Sequence, residues 1–172
     1  WAEEMAGLAG YEHYEISNWA LPRKECLHNM AYWENRPYLG LGPGAHSFLP
    51  GYRFANLRSP KWYIQRIQQW SQQPAGPVNL HAFHRHGVID MIEAIDPPLE
   101  MAETLMLGLR LGQGVTDEDF ARRFGVGFQK VYGAHIGDME TLGLLCWQDG
   151  RLRLTSKGRL LGNEVFQGFF AE

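Results

Sequence analysis

Asp149-Gly150 lies between two short apolar runs, residues 144–147 and 152–154. Asp-Gly readily adopts the positive-φ corners of a tight two-residue turn, so strand–turn–strand is the strongest local signal in this chain. What flanks the turn narrows the fold further. Residues 99–111 carry Met101, Leu105 and Leu109 at the spacing of an amphipathic helix. Thr116 is followed by Asp117, Glu118 and Asp119, a capping hydroxyl with acids beside the positive dipole end, and the helix it opens should stop near Gly125. Residues 128–142 place Val131, Ile136, Met139 and Leu142 on a third helix, closed by Gly143. Thr155 caps a last helix running to about Phe170. Three helices, a hairpin and a further helix read as a small winged-helix-like domain over residues 99–172.

The first part of the chain is patterned differently. Met5 and Leu8 share one face of a helix that Gly10 stops. Residues 11–16 alternate aromatic and polar side chains with the period of a strand. Residues 17–32 read as irregular, with Pro22 as a breaker. Residues 38–42, Tyr-Leu-Gly-Leu-Gly, read as a buried strand entering a turn at Pro43-Gly44, and residues 48–54 as a hairpin around Pro50-Gly51. Residues 62–70 have helical spacing, with Trp62, Ile67 and Trp70 on one face. Residues 71–98 are expected to form a linker between a part at 1–70 and the domain at 99–172. Its Pro- and Gly-rich start is at 71–77, the pattern of 81–95 is ambiguous, and Pro97-Pro98 punctuates its end. The chain opens at Trp1 inside a helical pattern rather than at Met, as a fragment or processed product would.

Several function classes are excluded at this level. No apolar run approaches the roughly 20 residues that span a bilayer, and the start lacks the layout of a signal peptide. The net charge of −3 offers no basic excess for nucleic acid. Residues 99–172 hold eight Lys and Arg against ten Asp and Glu, and the third helix has only Lys130 against Asp138 and Glu140, so a winged helix here is not expected to bind DNA. Cys26 and Cys146 form no close-spaced cluster and cannot by themselves build a zinc or iron–sulfur site. A reducing cytoplasm is the expected setting.

The chemistry-bearing residues concentrate in 11–47. His28-Asn29-x-x-Tyr32-Trp33 gathers an imidazole, an amide and two large aromatic faces within six residues. Such a set suits a flat ring system carrying a metal, and equally an aromatic plug on a loop with His28 bonded to backbone. Gly40, Gly42 and Gly44 let the backbone approach a ligand closely, and equally make a tight turn. His46 either contacts substrate there or caps the turn. Glu12 and Glu15 fall on opposite faces of their strand and are no acid/base pair, so solvent contacts or a structural hydrogen bond are expected. His81, His84 and His86 have mixed spacing for metal ligation and read as a solvated patch.

The collinear order Tyr14-Glu15-Ile16-Ser17-Asn18, then His28-Asn29-x-x-Tyr32-Trp33, then Tyr38 to Ser47 as YLGLGPGAHS resembles the C-terminal part of the oxygen-independent coproporphyrinogen III oxidase-like family of radical S-adenosylmethionine (radical SAM) proteins. The HNxxYW element is similar to the signature of the family's haem chaperone branch. Residues 99–111 and 152–158 resemble its C-terminal domain; residues 71–95 match poorly. The resemblance implies an α/β plus α+β fold: closing strands of a partial (β/α)6 barrel, then the winged-helix-like domain. It implies that Gly42, Gly44 and Ala45 lie near S-adenosylmethionine. It implies that His28 contacts haem or porphyrin, as a ligand to haem iron, with Asn29, Tyr32 and Trp33 as supports. The family's C-x3-C-x2-C trio for a 4Fe–4S cluster is absent from these residues, so the chain alone is expected to cleave no cofactor and bind none tightly. The missing barrel portion would then be its natural partner, with self-association expected in its absence. Two alternatives stay open: the oxidase, which decarboxylates propionates of coproporphyrinogen III, and a non-catalytic interaction module.

Overall fold

A computed structural model describes residues 1–72 and 84–170. Their contacts divide the chain into two units, Trp1–Asn35 with Pro97–Glu172, and Arg36–Asp96. The expected partition at 70 and 98 is therefore not the one the contacts draw. The first segment packs with the last, and residues 89–94 of the expected linker are a sheet strand.

In the first unit, helix α1 (Ala2–Leu8) leads to strands β1 (Glu12–Glu15) and β2 (Asn18–Ala20), an antiparallel pair with a bulge between His13 and Glu15. The stretch expected to be irregular thus supplies β2 and then helix α2 (Leu27–Trp33). Pro22 breaks the chain only between them.

The unit continues with α4 (Pro97–Gly108), α5 (Asp117–Phe124) and α6 (Phe128–Thr141), the hairpin β6 (Leu145–Gln148) with β7 (Arg151–Leu154), and short helices α7 (Ser156–Leu160) and α8 (Gly162–Gln167). The caps lie where the side chains predict them. Thr116 Oγ1 accepts from the Asp119 N–H at 3.1 Å, and Gly125 ends α5 at φ 75°. Thr155 Oγ1 accepts from the Gly158 N–H at 2.9 Å. The single last helix expected from Thr155 is instead two, broken at Leu161.

The core joins these elements. Leu105 of α4, Phe128 and Ile136 of α6, Leu152 of β7 and Val165 of α8 are almost wholly withdrawn from water. At about 25 cal/mol per Å2 of apolar surface, each contributes roughly 1.5–3 kcal/mol. Val131 of α6 and its C-cap Leu142, expected on the apolar face, are exposed; Tyr132, Ile136 and Met139 form that face with Phe128. An isolated bridge, Val115 to Leu152, adds a residue to the β6–β7 hairpin.

The second unit contains a three-stranded antiparallel sheet, β3 (His46–Leu49), β4 (Tyr52–Asn56) and β5 (Ile89–Ala94), with β4 central, and helix α3 (Pro60–Ser71). On α3 the half-buried face is Tyr63, Ile67 and Trp70, at i, i+4 and i+7, while Trp62 points to solvent. A five-residue step from 62 to 67 turns the helix by about 140°, which separates those two side chains. All ladders among the described residues are antiparallel. No helix among them is long and apolar enough to cross a membrane.

Candidate functional site

The HNxxYW residues lie on a helix, not a loop. The i, i+4 spacing of His28 and Tyr32 brings their rings into an edge-to-face contact 4.7 Å apart. The His28 imidazole is exposed, with no hydrogen bond among the described residues, so a ring nitrogen is open to a ligand. Asn29 is half-buried. Trp33 turns inward, and the Arg110 guanidinium lies 5.6 Å from its ring centroid.

The end of α2 is fastened to α4 and α5. Asn35, buried at φ 49°, donates its side-chain amide to Thr104 Oγ1 at 3.0 Å. Arg123 pairs with Glu100 at 2.6 Å and donates to the Glu34 carbonyl. These contacts hold α2 through its C-terminal end, while Leu27, His28 and Tyr32 are exposed. Upstream, Glu15 is buried and accepts from the Ser17 N–H at 3.2 Å and from the Asn18 side-chain amide. Glu12 is exposed. Of the roles expected for this pair, structural hydrogen bonding thus falls to Glu15.

Gly42, Gly44 and Ala45 belong to the second unit, apart from α2. Residues 38–42 do not form the expected buried strand. Tyr38 makes one bridge to Phe48, while Leu39 and Leu41 are 63% and 83% exposed. Side chains satisfy this backbone in place of a ladder. Ser47 Oγ accepts from the Gly40 N–H at 2.9 Å, and Asn56 donates to the Gly40 and Gly42 carbonyls at 3.1 and 3.0 Å. Gly42 stands at φ 101°, and a Cβ added there would meet nothing within 4 Å. Glycine holds that angle without strain, and the space beside it is open. His46 is exposed at the start of β3 and not within the turn.

The remaining candidates are dispersed. His81 lies outside the described residues, His84 is exposed and His86 half-buried. Cys26 and Cys146 are free thiols, and no cluster of three or more His, Cys, Asp or Glu could hold a metal among the described residues. The donor set does not fit a 4Fe–4S cluster, which needs three thiolates. Asn35, Thr104, Asn56 and Ser47 escaped the sequence reading, because isolated polar residues beside apolar runs carry no spacing signal.

Known proteins resemble this arrangement. The profile of the HemN C-terminal domain matches residues 95–161. The heme chaperone HemW of Lactococcus lactis is 34% identical over 163 residues, 95% of this chain and 38% of that protein. HemW of Bacillus subtilis is 33% identical over 163 residues, again 95% of this chain and 39% of the relative. Residues 95–161 match the HemN C-terminal domain, and the chain as a whole is similar to the C-terminal part of HemN-like radical SAM proteins. The structure of coproporphyrinogen III oxidase (HemN) from Escherichia coli, a radical SAM enzyme, has the same fold at a TM-score of 0.65 and 14% identity, over 98% of this chain and 39% of that one. The chain thus spans well under half the length of these HemN-like relatives. The matched HemN C-terminal domain runs from Ile95 just ahead of α4 to Leu161 after α7, and takes in Thr104, Arg110 and Arg123 but neither α2 nor the glycine loop.

Proposed function

We propose that this chain is the haem-receiving portion of a haem chaperone-like radical SAM protein. The observation that carries the reading is His28, an exposed imidazole with no hydrogen bond among the described residues, on a helix whose far end is pinned at Asn35 and Glu34. A neutral imidazole is an axial ligand for haem iron, and a pinned helix presents it with little loss of freedom on binding. Tyr32 stacks its edge on the imidazole and orients it; Asn29 and Trp33 support the same helix.

Gly42, Gly44 and Ala45 would receive S-adenosylmethionine, whose sulfonium chemistry in this family depends on a 4Fe–4S cluster held outside these residues. This chain's residues supply the approach surface: an open glycine corner with its carbonyls tied back by Asn56. The finer fold reading belongs here as well. β1 would close a (β/α)6 barrel with strands from elsewhere in the protein, and α4 to α7 with the β6–β7 hairpin would form a winged-helix-like domain that packs as a lid and does not bind DNA. The cytoplasm would be its compartment.

The relatives named HemW favour the chaperone over the oxidase, because the likeness to HemN at 14% identity speaks for fold alone. The test is a haem titration of the purified chain followed at the Soret band. Saturation at one haem per chain is expected; a featureless, non-saturable change would end the reading.

A further inference from the structure

Within the first unit, Arg110 is the cation most deeply set among aromatic side chains. Its guanidinium lies 4.8 Å from the Phe166 ring centroid and 5.6 Å from that of Trp33, and its Nε is buried with no hydrogen-bond partner. No carboxylate pairs with it among the described residues. Beside it opens a cleft of about 340 Å3, lined among others by Ile16, Arg110, Arg159, Leu160, Glu164 and Phe166. A smaller cavity of about 30 Å3, shared by Ile16, Arg110 and Arg159, continues towards His13 and Glu15.

We infer that this cleft is a carboxylate-binding subsite, with Arg110 and Arg159 as its donors. Arg159 stands at the rim; among the described residues its guanidinium makes only long contacts, with the exposed Glu3 at 3.5 Å, His13 Nδ1 at 3.3 Å and Ser156 Oγ at 3.4 Å. Glu164 contributes one negative charge to the lining, against two guanidinium groups. A guanidinium Nε that is buried without an acceptor is costly, and a planar fork is matched by the two oxygens of a carboxylate or by a phosphate. Ile16, Leu160 and Phe166 decide between these. Their apolar surface suits an anion tethered to an apolar body and does not suit a free, fully hydrated phosphate. The cleft is too small for a macrocycle but takes an aliphatic acid arm. Resting on the reading above, the arm is a propionate of the tetrapyrrole. Arg110 reaches this role through Trp33, which lies on the side of α2 away from His28, about 140° around the helix. The subsite is therefore separable from ligation by His28.

The test compares mesoporphyrin with its dimethyl ester, and hexanoate with inorganic pyrophosphate, on the wild-type chain, Arg110→Gln and Arg159→Gln. The readouts are tryptophan quenching for the porphyrins and thermal shift for the small anions. Arg159, at the rim, covers the outcome in which Arg110→Gln fails to fold. Each variant should weaken the diacid roughly tenfold or more, the loss of a charge-assisted hydrogen bond, and leave the ester unchanged. Equal affinity of wild type and a folded variant for the diacid would overturn the subsite while leaving haem binding intact. A hexanoate shift that disappears in the variants, with no porphyrin bound, would uphold the subsite and remove the haem reading. A pyrophosphate shift without a hexanoate shift would overturn the carboxylate assignment, and no response to any of the four probes would overturn the subsite outright.

Discussion

Asn35 donates its side-chain amide to Thr104 Oγ1, 3.0 Å away and 69 residues along the chain, and so ties the end of the HNxxYW helix to the middle of α4. Thr104 Oγ1 passes its own proton to the Glu100 carbonyl at 2.7 Å, and Glu100 holds Arg123. The candidate haem helix is thus positioned by the matched C-terminal domain, through polar contacts at its C-terminal end.

Asn35 has two roles that substitution separates. Its φ of 49° favours Asn or Gly, and its amide makes the bond to Thr104. Asn35→Gly loses only the bond and should cost about 1–3 kcal/mol; Asn35→Ala adds left-handed strain of roughly 1–2 kcal/mol. Urea unfolding should therefore rank wild type above Asn35→Gly above Asn35→Ala. Equal midpoints for the two variants would show that the backbone angle carries no strain.

Two glycines of the first unit should respond in opposite ways to alanine. A Cβ on Gly158 would sit 1.9 Å from the Leu144 carbonyl oxygen, in a backbone contact that cannot yield cheaply. Gly133, inside α6, has nothing within 4 Å. Gly133→Ala should stabilise by about 0.5–1 kcal/mol through helix propensity, while Gly158→Ala should leave little folded protein. Thermal melts of the pair check this directly.

The Thr116–Asp119 cap predicts an acid-sensitive contribution. The Thr116 hydroxyl donates to Asp119 Oδ2 at 2.7 Å and, with Arg122 beside it, holds the carboxyl below the usual carboxylate range. A lowered folded value means that the stabilisation is complete above the ordinary Asp value of about 4 and fades as pH falls through the folded one. Asp119→Asn should narrow the gap between urea midpoints at pH 7 and pH 3. Thr116→Ala should cost about 1 kcal/mol at neutral pH and narrow the same gap.

These caps were legible in the sequence because their chemistry is local. Thr116, Gly125, Thr155 and the Asp149-Gly150 turn each act within four residues. The glycine corner was legible for the same reason. α2 was not: its cap residue, Cys26, makes no side-chain hydrogen bond, and Pro22 made the approach look irregular. Residues 38–42 misled because an apolar run reads as buried, whereas here Asn56 and Ser47 satisfy the backbone and the leucines face water. β5 lay in an ambiguous stretch because its partner, β4, is 33 or more residues away.

Exposed apolar side chains predict association. Trp1, Leu8 and Leu27 of the first unit stand largely in water, and an open cleft of about 570 Å3 runs beside Trp1, Met5, Tyr11 and Trp19. Among the described residues β1 and β2 form a two-stranded sheet in which β1 also bridges Leu111, leaving β2 as the edge strand. Light scattering should show mass rising with concentration. A monomer throughout the micromolar to millimolar range would contradict this.

The central claim is that His28 presents its imidazole to haem iron, and a haem titration of His28→Ala beside the wild-type chain tests it most directly. The account predicts that the axial-ligand shift of the Soret band disappears in the variant while its unfolding midpoint stays put, since the ring is exposed and makes no hydrogen bond among the described residues. An unchanged Soret spectrum and affinity in a folded His28→Ala chain would contradict it.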